Sequence, residues 1–360
     1  MRQLDDLFNS EQLKMIHDAP LFMGTRHPTW FPLFNNPRRA IDHLVNEAVA
    51  RISSESNGDI WLHDLIDRLL NLTDIRNASS VLAEIRAYGA LLEAGFNVVP
   101  IPRKNDSTPD FEVNAGDGSI IVEVFAKHQD ESQDELLEAI HSSDSPLPDD
   151  VERKTIAGKN HRITITTACL TPGGRPDPAK PNDSVQANLV SRICSIKQNE
   201  SQIPNNMPAL LIMDFVHFGG PYTAELLKAG QTTPLECGHG GFTSGSIWYG
   251  LYGWKGAPIY EAGLRRPVKM GHDGRFRLQG NKKSKLSAVL VILAESVILL
   301  ENPWATHQFP ASARLKCCRY PWFDLSRTIA SWQPNQSAVQ VALHEQMIET
   351  IEHDLDTFRA

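Results

Sequence analysis

Three short apolar runs constrain the fold of this 360-residue chain more than any other feature. They are GSIIVEVF at 118–125, PALLIMDF at 208–215 and LSAVLVILAESVILL at 286–300. Strands that are apolar on both faces are typical of the middle of a sheet that is covered on both sides. The last run is too short for a membrane span and contains Glu295, so it predicts two buried strands that turn near Glu295 and Ser296.

The segments between these runs predict helices and further strands. Residues 1–75 have mainly helical periodicity, and SSVLAEIRAYGALLEAGF predicts a helix that ends at Gly95, followed by a strand. The segment TPDFEVNAGDGSIIVEVFAKH at 108–128 predicts a hairpin with a Gly-Asp-Gly turn. HRITITTACL alternates as a strand does, and SVQANLVSRICSIKQNESQ predicts a helix before the next buried strand. This order predicts an α/β fold with a mixed sheet.

The composition shifts divide the chain into four regions. These are an N-terminal helical region at 1–75, a core at 76–216 with an exposed acidic insertion at 129–160, a C-terminal extension with strands and a basic stretch at 217–335, and an amphipathic helix at 336–360. The last helix is expected to pack on the body or on a second subunit, which would give a homodimer. Its predicted apolar face consists of Val339, Leu343, Met347, Ile351, Leu355 and Phe358.

The bulk properties exclude several classes of protein. The formal net charge is -8, so the chain as a whole is not a polycation that coats nucleic acid. No basic, apolar N-terminal signal is evident, and no run is long enough for a membrane span. The five cysteines are an odd number without zinc-type spacing. These features predict a cytoplasmic protein with reduced thiols and no membrane partner.

Three carboxylates occupy positions where apolar residues are expected. Asp110 opens the first strand of the predicted hairpin, and Glu123 lies in the middle of the second. On a helical wheel of residues 81–92, Glu84 falls inside the apolar arc, between Tyr88 and Leu91. The alternative for Glu84 is a partly exposed position at the edge of that arc. Buried carboxylates cost several kcal/mol each unless they are paired or bind a metal.

A divalent cation would explain such a cluster. Carboxylates in a place of low dielectric constant repel one another and raise one another's pKa unless a cation lies among them. Mg²⁺ accepts one or two carboxylates together with waters and phosphate oxygens. The same arrangement suits phosphodiester hydrolysis, because the ion offsets developing negative charge and lowers the pKa of an attacking water.

The order Glu84, then Pro109-Asp110, then Glu123 resembles the motif of the PD-(D/E)xK nuclease superfamily. The resemblance covers residues 78–216. It implies a restriction-endonuclease-like mixed sheet flanked by helices, and a Mg²⁺- or Mn²⁺-dependent endonuclease that cuts DNA in preference to RNA. It also implies that Asp110 and Glu123 bind the metal, with the Val124 carbonyl as a further ligand, and that Glu84 holds a metal-bound water or a second ion. A role in host defence is an association of the superfamily.

The lysine of the superfamily motif is missing from its usual position. That position is two residues after Glu123, where this chain has Phe125. Strand alternation places Lys127 on the same side, so Lys127 is expected to orient the attacking water. Lys197 is the second candidate for the role of the motif lysine. Together with Gln198 it resembles residues that many members of the superfamily place near the site. The alternative for this pair is a solvated helix face.

A basic stretch near residues 265–285 is the best candidate for contact with nucleic acid, since it concentrates positive charge in an acidic chain. Phe276 is placed to stack on a base. The alternative is a solvated loop beside a hairpin. The residues expected to bind phosphates are Arg265, Arg266, Arg275, Arg277, Lys282 and Lys283.

Two other functions remain open. The first is a non-catalytic nucleic-acid-binding or protein-binding module that kept the nuclease fold and lost the lysine. The second is a HEPN-type ribonuclease, which ranks a distant third behind the nuclease and the binding module. Arg38 and His43 fit the R-x4-H spacing of that family. An exposed helix arginine and histidine explain the same spacing.

Overall fold

The structure is a computed structural model that describes residues 2–21, 26–102, 108–127, 140, 152–159, 162–167, 190, 193–194, 203–216, 233–235, 241–243, 245–259, 268–277, 284–293 and 296–357. After a 3₁₀ helix at Leu4–Leu7, the helices in these residues are α1 (Ser10–His17), α2 (Trp30–Phe34), α3 (Ala40–Ile52), α4 (Gly58–Asp64), α5 (Ile66–Leu69), α6 (Ile75–Glu93), α7 (Ser246–Tyr252), α8 (Ala311–Cys317) and α9 (Gln336–Thr357). None of them combines the length and hydropathy needed to cross a bilayer.

The strands are short, as is usual for an α/β protein. They are β1 (Asn97–Pro100), β2 (Phe111–Asn114), β3 (Ser119–Ala126), β4 (Glu152–Ala157), β5 (Arg162–Thr167), β6 (Ala209–Asp214), β7 (Thr233–Leu235), β8 (Gly241–Thr243), β9 (Pro258–Ile259), β10 (Val268–Lys269), β11 (Leu286–Leu293) and β12 (Ser296–Glu301).

Six of these strands form one mixed sheet in the order β1-β2-β3-β6-β11-β12. The pairs β1-β2, β2-β3 and β11-β12 are antiparallel, whereas β3-β6 and β6-β11 are parallel. The three apolar runs therefore supply β3, β6, β11 and β12, and the first three occupy the centre. The predicted α/β class with a mixed sheet flanked by helices is confirmed.

The first face of the sheet is the side that packs against α3 and α6. Even-numbered residues of β3 and β6 lie on this face, because side chains alternate along a strand. One apolar cluster joins Val49 of α3 and Ile85 and Tyr88 of α6 to Val122 of β3 and Ile212 of β6. The N-terminal helices therefore share a core with the sheet.

The second face of the sheet is the opposite side, where α7 and α9 pack. Odd-numbered residues of β3 and β6 lie here, in a separate apolar cluster. This cluster joins Ile121 of β3 and Leu211 of β6 to Trp248 and Tyr252 of α7 and Ile348 of α9. The sheet is buried on both faces, as its apolar strands predict.

Helix α6 begins and ends at residues that the sequence marks. The Asp74 side chain accepts a hydrogen bond of 3.0 Å from the main-chain N of Asn77, which caps the first turn. At the other end Gly95 has a φ of 86°. The main-chain N–H groups of Gly95 and Phe96 donate back to the carbonyls of Leu92 and Leu91, at 3.0 Å each. This is the glycine-terminated helix end that the sequence predicts.

The predicted exposed insertion at 129–160 lies mostly outside the described residues, and its last part forms β4, a largely exposed strand that pairs with β5. One expectation about the elements is corrected. The C-terminal segment is a helix, but its predicted apolar face is turned outward: Val339 is 57% exposed and Leu343 is 60% exposed. The buried apolar side chains described on α9 are instead Val341 and Ile348, because α9 meets the second face along that side.

Candidate functional site

Asp110 and Glu123 lie beside each other at the end of the β2-β3 pair. The last paired residues there are Phe111 and Val122, so the next step along the two strands brings Asp110 next to Glu123. The main-chain N of Val124 donates a hydrogen bond of 2.8 Å to Oδ2 of Asp110. The carboxylate of Asp110 thus takes the place of a strand neighbour for β3. The strand register therefore places the two acidic residues at opposite positions of neighbouring strands.

Lys127 lies immediately beyond β3 and is 9% exposed. Its main-chain N donates a hydrogen bond of 2.8 Å to the main-chain O of Asp214 at the end of β6. Phe125, which has the position of the motif lysine, is packed against the apolar cluster of the second face. Glu123, Phe125 and Lys127 follow one another at alternate positions, so the chain has an apolar ring between its buried glutamate and its buried lysine.

Glu84 is buried, but it is held by an arginine. Nη1 and Nη2 of Arg68, on α5, donate to the two carboxylate oxygens of Glu84 at 2.9 Å each. Both helices lie on the first face, whereas Glu123 lies on the second. Within the described ranges, no three Asp, Glu, His or Cys side chains come close enough to hold a metal ion. The predicted convergence of Glu84 with Asp110 and Glu123 is therefore not formed.

A second buried ion pair lies two residues further along α6. Nη2 of Arg86 donates to Oδ2 of Asp214 at 2.7 Å, and Nε of Arg86 donates to the same oxygen at 3.2 Å. Arg86 is 6% exposed and Asp214 is 2% exposed. On a helical wheel of residues 81–92 Arg86 falls outside the apolar arc, but the structure buries it against the sheet. The sequence signal for a buried partner of this arginine is Asp214, a carboxylate at the end of an otherwise apolar run.

Glu123 lines a small enclosed space on the second face of the sheet. This cavity has a volume of about 10 Å³, and Arg275 lines it together with apolar residues such as Ile203 and Leu286. Glu123 is 5% exposed and Arg275 is 1% exposed. A buried guanidinium near a buried carboxylate reduces the free-energy cost of burying each.

The basic stretch is corrected where the structure describes it. Nη1 of Arg275 donates to Oγ of Ser284 at 2.9 Å, and Phe276 is fully buried in the apolar cluster of the second face. Neither side chain is at the surface, so neither is placed to contact nucleic acid. A run of charges in a sequence does not show which of them the tertiary structure buries.

Arg277 also has structural partners. Its Nε donates to the carbonyl of Tyr252 at 2.7 Å, and its guanidinium pairs with Glu345 of α9. The guanidinium carbon lies 4.2 Å from the ring centre of Trp304. Burial lowers the pKa of Arg277. The other predicted phosphate contacts lie outside the described residues; these are Arg265, Arg266, Lys282, Lys283, Lys197 and Gln198.

The residues of the R-x4-H spacing make different contacts. Nη2 of Arg38 donates to the carbonyl of Leu33 at 3.4 Å, and His43 is exposed on α3. Between them, Arg39 forms an ion pair of 2.8 Å with Asp42. These contacts fit a surface helix.

Comparison of the chain with protein-family models, with curated proteins and with solved structures finds no match. The interpretation of the site therefore depends on its own geometry. The features available to chemistry are an aspartate and a glutamate on adjacent strands, a buried lysine at the end of the second strand, and a parallel neighbour, β6, along the same end.

Proposed function

We propose that the chain is a metal-dependent nuclease whose site consists of Asp110, Glu123 and Lys127, with DNA as its substrate. The observation that carries the proposal is the position of Asp110 beside Glu123 at the end of the β2-β3 pair. The order of α6, the β2-β3 hairpin and a later parallel strand beside β3 supports a restriction-endonuclease-like core. It is the element order of the superfamily that the motif resembles.

The donor set fits Mg²⁺ or Mn²⁺. Mg²⁺ is usually bound through one or two carboxylates, with waters and phosphate oxygens completing its shell. Asp110 and Glu123 supply two carboxylates, and Glu84 is left out of the set because Arg68 already binds both of its oxygens. When bound, the ion would offset charge on the phosphate and lower the pKa of a water.

The residues of the chain would divide the remaining work. Asp110 binds the main-chain N of Val124, so its carboxylate is fixed relative to β3 and is preorganised. Lys127 follows the same strand, and its amine would position the attacking water and offset negative charge on the phosphate. Phe125 is packed between them and would exclude bulk water from that side.

The test is cleavage of supercoiled plasmid with Mg²⁺ or Mn²⁺. Asp110→Asn and Glu123→Gln should each lower the rate by at least about 100-fold, since loss of a ligand charge removes several kcal/mol of transition-state stabilisation. Lys127→Ala should lower the rate and leave Mn²⁺ affinity unchanged. Glu112→Gln is the matched control, because Glu112 lies on β2, further from the end of the strand that Asp110 precedes.

A second candidate is favoured by the cavity that Glu123 shares with Arg275. If Arg275 stabilises Glu123, the carboxylate is a structural group. The domain would then bind nucleic acid or protein without cutting it. Calorimetric titration with Mn²⁺ separates the two candidates. The nuclease requires Mn²⁺ binding that Glu123→Gln abolishes, whereas wild-type protein that binds no Mn²⁺ and leaves both DNA and RNA intact would exclude it.

A further inference from the structure

The strands β4 and β5 form a two-stranded ribbon that is separate from the central sheet. Neither of them pairs with any other strand that the structure describes. All of β4 except Arg153 is exposed, and so are residues 162–165 of β5. In the chain the ribbon lies after Lys127, between β3 and β6. A lone pair of strands is only marginally stable in water, so a surface that covers the ribbon would stabilise it.

The ribbon is basic, although the chain as a whole is acidic. Residues 152–159 and 162–167 contain two lysines and two arginines against one carboxylate, whereas the formal net charge of the chain is -8. Arg153 is half-buried, and its Nη2 donates to a main-chain carbonyl at 3.2 Å, so this arginine serves the protein itself. The other three cations are exposed and have no ion pair or side-chain hydrogen bond to any residue that the structure describes. They are Lys154, Lys159 and Arg162.

The register of the two strands spreads the exposed cations over the whole ribbon. Lys154 is opposite Ile165, and Arg162 is opposite Ala157. These two pairs lie on opposite faces, because side chains alternate along a strand. Lys159 lies in the segment that connects the strands. Each face of the ribbon therefore has one exposed cation, and a third lies near its tip.

The remaining exposed side chains of the ribbon suit the edges of DNA bases. On the face of Arg162, the hydroxyl oxygens of Thr155 and Thr164 are 3.3 Å apart and share a hydrogen bond across the strands. On the other face, Ile156 is 46% exposed and Ile163 is 49% exposed. Hydroxyl groups bind base edges, and apolar side chains contact the methyl group of thymine.

We infer that this ribbon enters the major groove of duplex DNA and holds the substrate of the proposed nuclease. The major groove is about 12 Å wide and admits a two-stranded ribbon. Lys154 and Arg162 contact the phosphates of the two DNA strands that border the groove, and Lys159 reaches the base edges. The choice of DNA as the partner rests on the proposed function, whereas the charge and the exposure of the ribbon are observed independently of it.

The test is the affinity of the full chain for a fluorescein-labelled DNA duplex, measured by anisotropy in EDTA over a range of salt concentrations. EDTA removes divalent ions, so cleavage takes no part in the measurement. The variant combines Lys154→Gln, Lys159→Gln and Arg162→Gln, which are exposed positions where glutamine removes the charge. Since each phosphate contact contributes about 0.9 to the slope of log affinity against log salt concentration, we expect the slope to fall by about 2–3. Affinity near 0.1 M salt should fall by at least about 50-fold.

The matched control removes the same number of exposed cations elsewhere on the chain. It combines Lys14→Gln, Lys255→Gln and Arg319→Gln, and it should leave the slope within about 0.5 of the wild-type value. Equal slopes in the ribbon variant and the wild type would overturn the inference and would favour a protein as the partner of the ribbon. Equal losses in the ribbon variant and the control would overturn it too, because net charge alone would then explain the binding.

Two comparisons complete the test. Binding in a groove requires that the wild type prefer the duplex to one of its strands alone, and that the ribbon variant lose this preference; equal affinities of the wild type for both would overturn the inference. Plasmid cleavage then separates the inference from the proposed function. If the ribbon variant loses affinity while Asp110→Asn cuts as the wild type does, the nuclease proposal fails and the ribbon assignment stands. If Asp110→Asn is inactive while the ribbon variant binds normally, only the ribbon assignment fails.

Discussion

The two faces of the central sheet bury charge in different ways. On the first face two buried carboxylates are each matched by an arginine from another element, Glu84 by Arg68 and Asp214 by Arg86. On the second face Glu123 is opposite Asp110 in the strand register and shares a small cavity with Arg275. The first arrangement is explained by folding alone. The second places two acidic residues at neighbouring positions of adjacent strands, where a cation would offset their repulsion.

The largest effect is expected on the first face, at Asp214. Asp214→Leu leaves the guanidinium of Arg86 buried and without its carboxylate, which should lower the free energy of unfolding by about 3–5 kcal/mol. The double variant Arg86→Met with Asp214→Leu replaces the whole pair by apolar groups and should recover most of that loss. Urea denaturation measures both. A double variant as unstable as the single one would mean that the pair is not the source of the loss.

A glutamate-to-glutamine substitution on each face compares directly how much each buried carboxylate contributes to stability. Glu84→Gln should lower the free energy of unfolding by about 2–3 kcal/mol, since Arg68 loses its charged partner. Glu123→Gln should change it by less than about 1 kcal/mol, because relief of repulsion from Asp110 offsets whatever its neighbours contribute. Equal losses at the two sites, measured in urea, would favour the non-catalytic candidate.

A smaller effect is expected at Arg277, on the second face. Arg277→Ala removes the contacts with Glu345 and Trp304 and should cost about 1–2 kcal/mol of stability. It should leave the salt dependence of DNA affinity unchanged, because this guanidinium contacts protein and not phosphate. If the slope of log affinity against log salt concentration falls by about 0.9 on duplex DNA, Arg277 contacts a phosphate and the prediction is wrong.

The smallest effect expected is a dependence of stability on pH. It comes from two histidines, His27 among the N-terminal helices and His344 on α9. Burial lowers the pKa of His27 and of His344. The folded state therefore binds fewer protons than the unfolded state once the pH falls below the ordinary histidine pKa of about 6.5. Stability should decrease from there toward lower pH and stay flat above it.

His344→Phe is the test of this pH effect, because a phenyl ring keeps the edge contact with Trp248. Urea midpoints at about pH 7.5 and 5.5 should differ less in this variant than in the wild type. An unchanged difference would assign the pH dependence to other groups.

The sequence predicted the parts of the fold that local pattern determines. The apolar runs identified β3, β6, β11 and β12, and Gly95 marked the end of α6. The wheel placed Glu84 correctly at a buried position. It could not supply Arg68 as the partner, because a wheel identifies which side of a helix is apolar and not which element packs against it.

The wrong predictions for Arg275, Phe276 and the face of α9 have one physical origin, which is packing against segments that are distant in the sequence. Arg275 and Phe276 were assigned to the surface from charge density, but Ser284 and the second-face cluster enclose them. The stripe containing Val339 and Leu343 on α9 was assigned to the core from spacing. The shape of the second face decides that orientation, and strands far away in sequence build that face.

The order of strands in the sheet has a consequence for synthesis of the chain. After β3 is made, one of its edges stays unpaired until β6 emerges, and β6 in turn waits for β11. At about 5–20 residues per second, ribosomes need roughly 10–30 s to proceed from β3 to β11. The nascent chain carries its most apolar strands with open edges throughout that interval, and parallel pairing between distant segments is slow in itself. Chaperone supply during translation, more than the stability of the finished protein, is expected to limit the yield of folded chain.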